Sequence, residues 1–139
     1  MCEVFISANP DSYASRTRSV RLHGVVTSIR LENLYWDVLE EIGLRDGMTV
    51  VGLIERLYDE LVEARGEVGN FASFLRVCAL RYLALQAHDR IPLDKRVAIG
   101  SLNAQQVLHA LPDHWALNAS SPSLHPAGAS ASQRRQPPQ

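Results

Sequence analysis

The sequence predicts a mainly α-helical domain with one short strand, which pairs with the same strand of a second copy. Three observations carry this. Val25 to Glu32 alternates cleanly between apolar and polar residues, the period-two signature of a half-buried strand. Two amphipathic helical patterns follow within three dozen residues, divided at Asp46-Gly47. No other stretch offers as clear a strand, and one strand cannot satisfy its own backbone N–H and C=O groups. The expected product is an intertwined homodimer around a two-stranded antiparallel ribbon, with a third helix in each chain.

Residues 1–17 mix Ser, Asn, Pro, Asp and Arg without periodicity and predict a flexible arm. Arg18 to Leu22 has extended character, but Gly24 is expected to interrupt it. Within the strand, Val25, Thr27, Ile29 and Leu31 take the core side, and Val26, Ser28, Arg30 and Glu32 face outward. The first helix is expected to begin at Glu32 or Asn33, with Asn33 as N-cap, and to end before Gly47. Its apolar stripe is Tyr35, Val38, Leu39 and Ile42, with Asp37, Glu40, Glu41 and Arg45 opposite. Thr49 caps a second helix running to about Gly66, with Val50, Leu53, Ile54, Leu57, Leu61 and Val62 inward. A third helix runs from Asn70, its cap, to about Ala87 with Phe71, Phe74, Leu75, Cys78, Tyr82 and Leu85 inward.

The domain is therefore placed at residues 18–87. Residues 88–117 predict an irregular extension with a short helix between Asn103 and Leu111, and residues 118–139, rich in Ser, Pro, Ala and Gln, a disordered tail. No internal repeat is expected.

The net charge of −1 gives no global argument for an anionic partner, but its distribution does. Ser12 to Leu31 holds four arginines, one histidine and no acid, whereas Glu32 to Glu67 holds ten acids against three arginines. One face is thus suited to an anion and the other kept off it. Cys2 and Cys78 have no metal spacing, and Cys78 falls on an apolar stripe as a small buried thiol. No apolar run approaches the roughly 18 residues of a membrane span, and no secretory signal is seen, so a cytoplasmic location is expected. His109 and His114 are separated by Leu111-Pro112, and His88 and His125 stand alone. No metal site, no cofactor and no enzymatic activity are expected, since no nucleophile elbow, phosphate loop or carboxylate pair appears.

The run Arg18-Ser-Val-Arg-Leu-His-Gly-Val-Val-Thr-Ser-Ile-Arg-Leu-Glu-Asn-Leu-Tyr-Trp36, followed by the Gly47 turn and the Thr49 cap, resembles the ribbon-helix-helix superfamily of bacterial repressors and antitoxins. The likeness is greatest to its bacterial domain family with a His-Gly-x-x-Thr-Ser lead into the strand, and it covers about residues 18–86. It implies that outward strand residues Val26, Ser28 and Arg30 read base edges. Arg30 suits a bidentate contact to guanine, while Val26 can only touch a thymine methyl. It also implies a phosphate clamp at the start of the second helix, through Thr49 and the amides of Val50 and Val51. Arg16, Arg18 and Arg21 are expected to follow the DNA backbone.

The expected function is a sequence-specific DNA-binding homodimer that regulates transcription, its ribbon in the major groove of double-stranded DNA. The alternative is an antitoxin-like dimer whose C-terminal extension binds a partner protein. Apolar positions from Ile91 to Trp115 suit folding on a partner, and suit equally well packing back onto the domain.

Overall fold

The strand finds its partner within its own chain. The computed structural model describes residues 2–112, and in it β1 (Ser15–Leu22) and β2 (Val25–Glu32) form one antiparallel hairpin, with Leu22 opposite Val25 and Ser15 opposite Glu32. His23 and Gly24 are its two-residue loop, both with positive φ (47° and 80°). That is the type I′ geometry whose twist matches the flanking strands. Gly24 is therefore the turn itself and interrupts nothing. The pairing seen lies within the chain: eight residues of the presumed arm and lead-in supply hydrogen bonds along one edge of β2. Val25, expected on the core side, sits beside the turn and is 65% exposed.

The arm is structured as well. Helices α1 (Cys2–Ile6) and α2 (Pro10–Tyr13) precede the hairpin, so the expected boundary between residues 17 and 18 falls inside β1. Asn33 ties this segment down, its side-chain amide donating to the Asp11 carbonyl and its backbone N–H to that of Ala14.

Three longer helices follow: α3 (Asn33–Arg45), α4 (Val50–Arg65) and α5 (Phe71–Ala87). The N-cap of α3 is Glu32, with no side-chain cap bond, and Asn33 is its first helical residue. Thr49 and Asn70 cap α4 and α5 as expected, accepting from the N–H groups of Gly52 and Ser73. The inner face of the hairpin (Val20, Leu22, Ile29, Leu31) closes one core with Trp36 and Leu39 of α3, Val50, Leu53 and Ile54 of α4, and Leu75 and Ala79 of α5. Trp36 rather than Tyr35 is the buried aromatic of α3, and its indole N–H donates to the Arg16 carbonyl at 2.9 Å, tying helix to ribbon. Gly43 lets α3 approach the next segment closely: a Cβ there would stand 2.9 Å from the Met48 carbonyl oxygen.

Residues 91–111 wrap back onto the helices. Ile91 and Leu111 form a second core with Tyr82 and Leu85, joined by Ile99, Leu102, Val107 and Leu108. A 3-10 turn (Ile99–Ser101) and α6 (Ala104–Val107), shorter than expected, are its regular elements. Arg45, expected on the wet side of α3, is only 6% exposed. Its guanidinium donates to the carbonyls of Val97, Pro92 and Asp94 and to the Tyr82 hydroxyl. The neighbouring Asp46 carboxylate accepts from the N–H groups of Ile99 and Gly100. Of the two expected fates for these apolar residues, packing on the domain is the one seen. Leu93 stays 73% exposed. The expected tail at 118–139, with Trp115, His114 and His125, lies outside the described residues.

Candidate nucleic-acid interface

Strand alternation divides the hairpin into two chemically different faces. Opposite the core, the register sets Thr17 against Arg30, Ser19 against Ser28 and Arg21 against Val26, and all six are exposed. Arg21 and Arg30 make no hydrogen bond or ion pair among the described residues. They stand at opposite ends of this face, four residues or about 14 Å apart along the strands. A guanidinium with no partner among the described residues keeps all five donors for another molecule.

The acid that follows in the outward phase, Glu32, is withdrawn from this surface. Its carboxylate takes two bonds from Arg76 of α5, at 2.9 and 3.1 Å. The Arg76 guanidinium lowers the Glu32 pKa and the carboxylate raises that of Arg76. A negative charge that would oppose phosphate is thereby fixed and neutralised. At the other end of the ribbon, His23 Nε2 meets an Asp59 oxygen of α4 at 2.6 Å, and its ring sits edge-on to Tyr58 at 5.1 Å. These contacts pin the tip of the hairpin to α4.

Of the expected site residues, Val26, Ser28 and Arg30 lie together on the outer face. Arg21 lies there too rather than on a mobile arm. Arg18 does not: it pairs with Ile29 on the core side, its guanidinium 5.2 Å from the Trp36 ring centroid. Thr49 caps α4 through the Gly52 N–H at 3.1 Å, while the N–H groups of Val50 and Val51 make no hydrogen bond among the described residues. The Val50 side chain is buried, so only its amide is available to an anion. The turn that carries Thr49 lies ten residues, about 15 Å of helix, from the Asp59 contact at the tip. Thr17 and Ser19 are outward residues that the single-strand reading missed. The sequence carries a signal for them: Ser-Val-Arg-Leu at 19–22 and Ser-Ile-Arg-Leu at 28–31 lie on either side of a glycine turn, at 23–24, and glycine supplies the positive φ a tight hairpin needs.

A groove on α3 has the wrong sign for nucleic acid. About 440 Å³ in volume, it is lined by Asp37, Glu40, Glu41, Leu44, Arg45 and Lys95. Lys95 and the Tyr82 hydroxyl hold Glu41 ionised. Burial pushes the Cys78 thiol up to about 11, which leaves it unreactive at neutral pH. Among the described residues no three potential ligands cluster around a metal position, and no helix is long and apolar enough to cross a membrane.

Comparison with known proteins matches residues 15–83 to the ribbon-helix-helix domain, from the first residue of β1 into α5. A solved structure, that of an uncharacterized protein from Bordetella pertussis Tohama I, is 62% identical, with a TM-score of 0.84 over 87% of this chain and 96% of that one. The chain belongs to the ribbon-helix-helix domain family. No match is found among curated proteins. Ribbon-helix-helix domains are in general dimeric DNA-binding regulators, and here both strands of the ribbon lie within the family match.

Proposed function

We propose that this ribbon-helix-helix protein is a sequence-specific DNA-binding homodimer that regulates transcription in the cytoplasm, without catalysis. The observation that carries the reading is the outer face of the hairpin. Five of its six side chains are polar, two are arginines without a partner among the described residues, and the acid that follows in the outward phase, Glu32, is bound by Arg76. Two strands about 5 Å apart with their side chains fit a major groove about 12 Å wide. Ser28 and Arg30 meet base edges, and Val26 touches a thymine methyl. The amides of Val50 and Val51, ordered by the Thr49 cap, take a flanking phosphate. Arg18, on the core side of the ribbon beside Trp36, takes no part in this contact. Asp59 of α4, the acid at the tip of the ribbon, is bound by His23.

Fluorescence anisotropy on genomic fragments across a salt series tests this. Log affinity is expected to fall linearly with log salt, by about 0.9 per phosphate contact. Arg30→Ala is expected to lose preference among fragments while keeping most of that slope. A wild-type protein that binds no fragment even at low salt would show that the ribbon does not serve DNA.

A further inference from the structure

Helix α5 is apolar on both of its sides. Among its 17 residues the charged ones are Arg76 and Arg81. Its inward side chains, Leu75, Ala79, Tyr82 and Leu85, are buried. Its outward ones are apolar as well: Val77, Leu80 and Leu83 stand exposed. A surface helix carries charge on that side, as α4 does at Arg56, Asp59, Glu60 and Glu63. A helix that is hydrophobic all round is one that is buried all round.

Leu80, Leu83, Ala84 and Ala87 hold the i, i+3, i+4 and i+7 positions of the outward face. Four residues at that spacing frame the hole into which one side chain of a packing partner inserts. The two alanines lower one rim of the hole, which leaves room for a large side chain. Helix α1 does not fill it, since Val4, Phe5 and Ile6 are themselves exposed.

The chain supplies a large apolar side chain at this end of α5. Leu111 is buried in one cluster with Tyr82, Leu85 and Ile91, and the sequence runs on from Pro112 as Asp113-His-Trp-Ala-Leu117. Trp115 follows Leu111 by four residues, a reach of up to about 14 Å. Leu85 and Ala84 are less than a third of a turn apart, on a helix about 10–12 Å across with its side chains. The hole is therefore within reach. Arg81 projects between Leu85 and Ala84, and it makes no hydrogen bond or ion pair among the described residues. Asp113, halfway from Leu111 to Trp115, is the one acid in residues 113–139.

We propose that residues 113–117 fold back over α5, with Asp113 paired to Arg81 and the Trp115 indole seated among Leu80, Leu83, Ala84 and Ala87. The occupant of this face is the chain's own segment rather than a second copy. The contact continues the second core, where residues 91–111 already wrap the helices. It takes an indole and two leucines out of water together. Helix α5 also carries Arg76, which holds Glu32 at the base of the ribbon, so a covered α5 is a fixed support for it. Nothing in this contact depends on DNA.

Acrylamide quenching of tryptophan fluorescence in the full chain tests this, because the chain has two tryptophans and Trp36 is buried. Trp115→Phe gives the emission of Trp36 alone, and its difference from wild type is that of Trp115. Trp115 is expected to resist acrylamide nearly as well as Trp36. Leu80→Glu, at an exposed position, is expected to raise the quenching of Trp115 several-fold and to leave that of Trp36 unchanged. Leu83→Glu repeats the test should quenching of Trp36 show that Leu80→Glu has disturbed the core. Leu44→Glu, at an exposed leucine of the α3 groove, should change neither tryptophan. A Trp115 quenched in the wild type as readily as free tryptophan overturns the proposal. So does a Trp115 that Leu44→Glu exposes and Leu80→Glu does not, which seats the segment in the α3 groove. If the protection of Trp115 fades on dilution while light scattering shows dimers separating, a second copy covers the face and the proposal fails.

Discussion

Arg45 and Arg30 belong to consecutive elements and have opposite fates. Arg45 is 6% exposed and spends its guanidinium on three carbonyls and a hydroxyl of its own chain. Arg30 stands in water on the outer face of the ribbon with no partner among the described residues. A buried charge must be satisfied internally or it destabilises the fold, whereas an exposed one costs almost nothing to leave free. The Arg45 hub therefore explains how residues 91–100 are held. Arg21 and Arg30 are not needed for folding, and their placement asks for an explanation outside the chain.

The largest expected effect follows from the hub. Arg45→Ala strands the carbonyls of Pro92, Asp94 and Val97 and should destabilise the protein by about 3 kcal/mol in denaturant melts. Limited proteolysis should then cut first between residues 91 and 111. DNA affinity measured where the variant remains folded should change little. A large loss of affinity there would mean that the extension also shapes the interface.

Arg30→Ala should show the reverse pattern. Its stability should stay within about 0.5 kcal/mol of wild type, as for most exposed substitutions. Its best DNA site should weaken by about 2 kcal/mol. Equal losses in stability and binding would erase the contrast between the two arginines.

Gly24→Ala probes the ribbon through its backbone. The added Cβ meets nothing within 4 Å, so the cost comes from the φ of +80° alone. About 1 kcal/mol of stability should be lost. DNA binding should fall with it, because the turn sets the register that aligns Arg21 with Val26 and Ser19 with Ser28.

The sequence showed the elements whose signal is local. The alternation of β2, the caps Thr49 and Asn70 and the stripe of α4 all stand where expected, because cap chemistry and periodicity need only neighbouring residues. β1 has a weaker local signal because Arg16 and Arg18 occupy its apolar phase, and because a glycine after histidine marks a break as readily as a type I′ turn. The burial of Arg45 had no local signal at all. Its acceptors lie 37 to 52 residues away, and only the tertiary fold brings them to it. Val26, Ser28 and Arg30 were legible because strand phase fixes the face of a side chain. Arg18 was not, because its face follows from a strand that had gone unrecognised.

The smallest expected effect lies between the two arginine classes, at the Glu32–Arg76 pair. Both side chains are about one-third exposed, at 31% and 33%, so solvent screens the pair and its contribution should be about 0.5 kcal/mol. The Glu32 carboxyl is held below its ordinary value by the Arg76 bonds. A depressed carboxylate contributes fully above its unfolded pKa of about 4.3 and loses that contribution as pH falls through the lower, folded value. Arg76 stays charged throughout. Glu32→Gln should therefore be less stable than wild type at pH 7, and the two should converge as pH falls through the lowered, folded value. Glu41 titrates over the same acidic range but is present in both proteins, so its contribution cancels in the difference. Convergence without loss of DNA binding would make the pair a structural tie. If Glu32→Gln instead binds DNA more tightly at pH 7, the carboxylate still projects a field onto the outer face, and Arg76 neutralises it only in part.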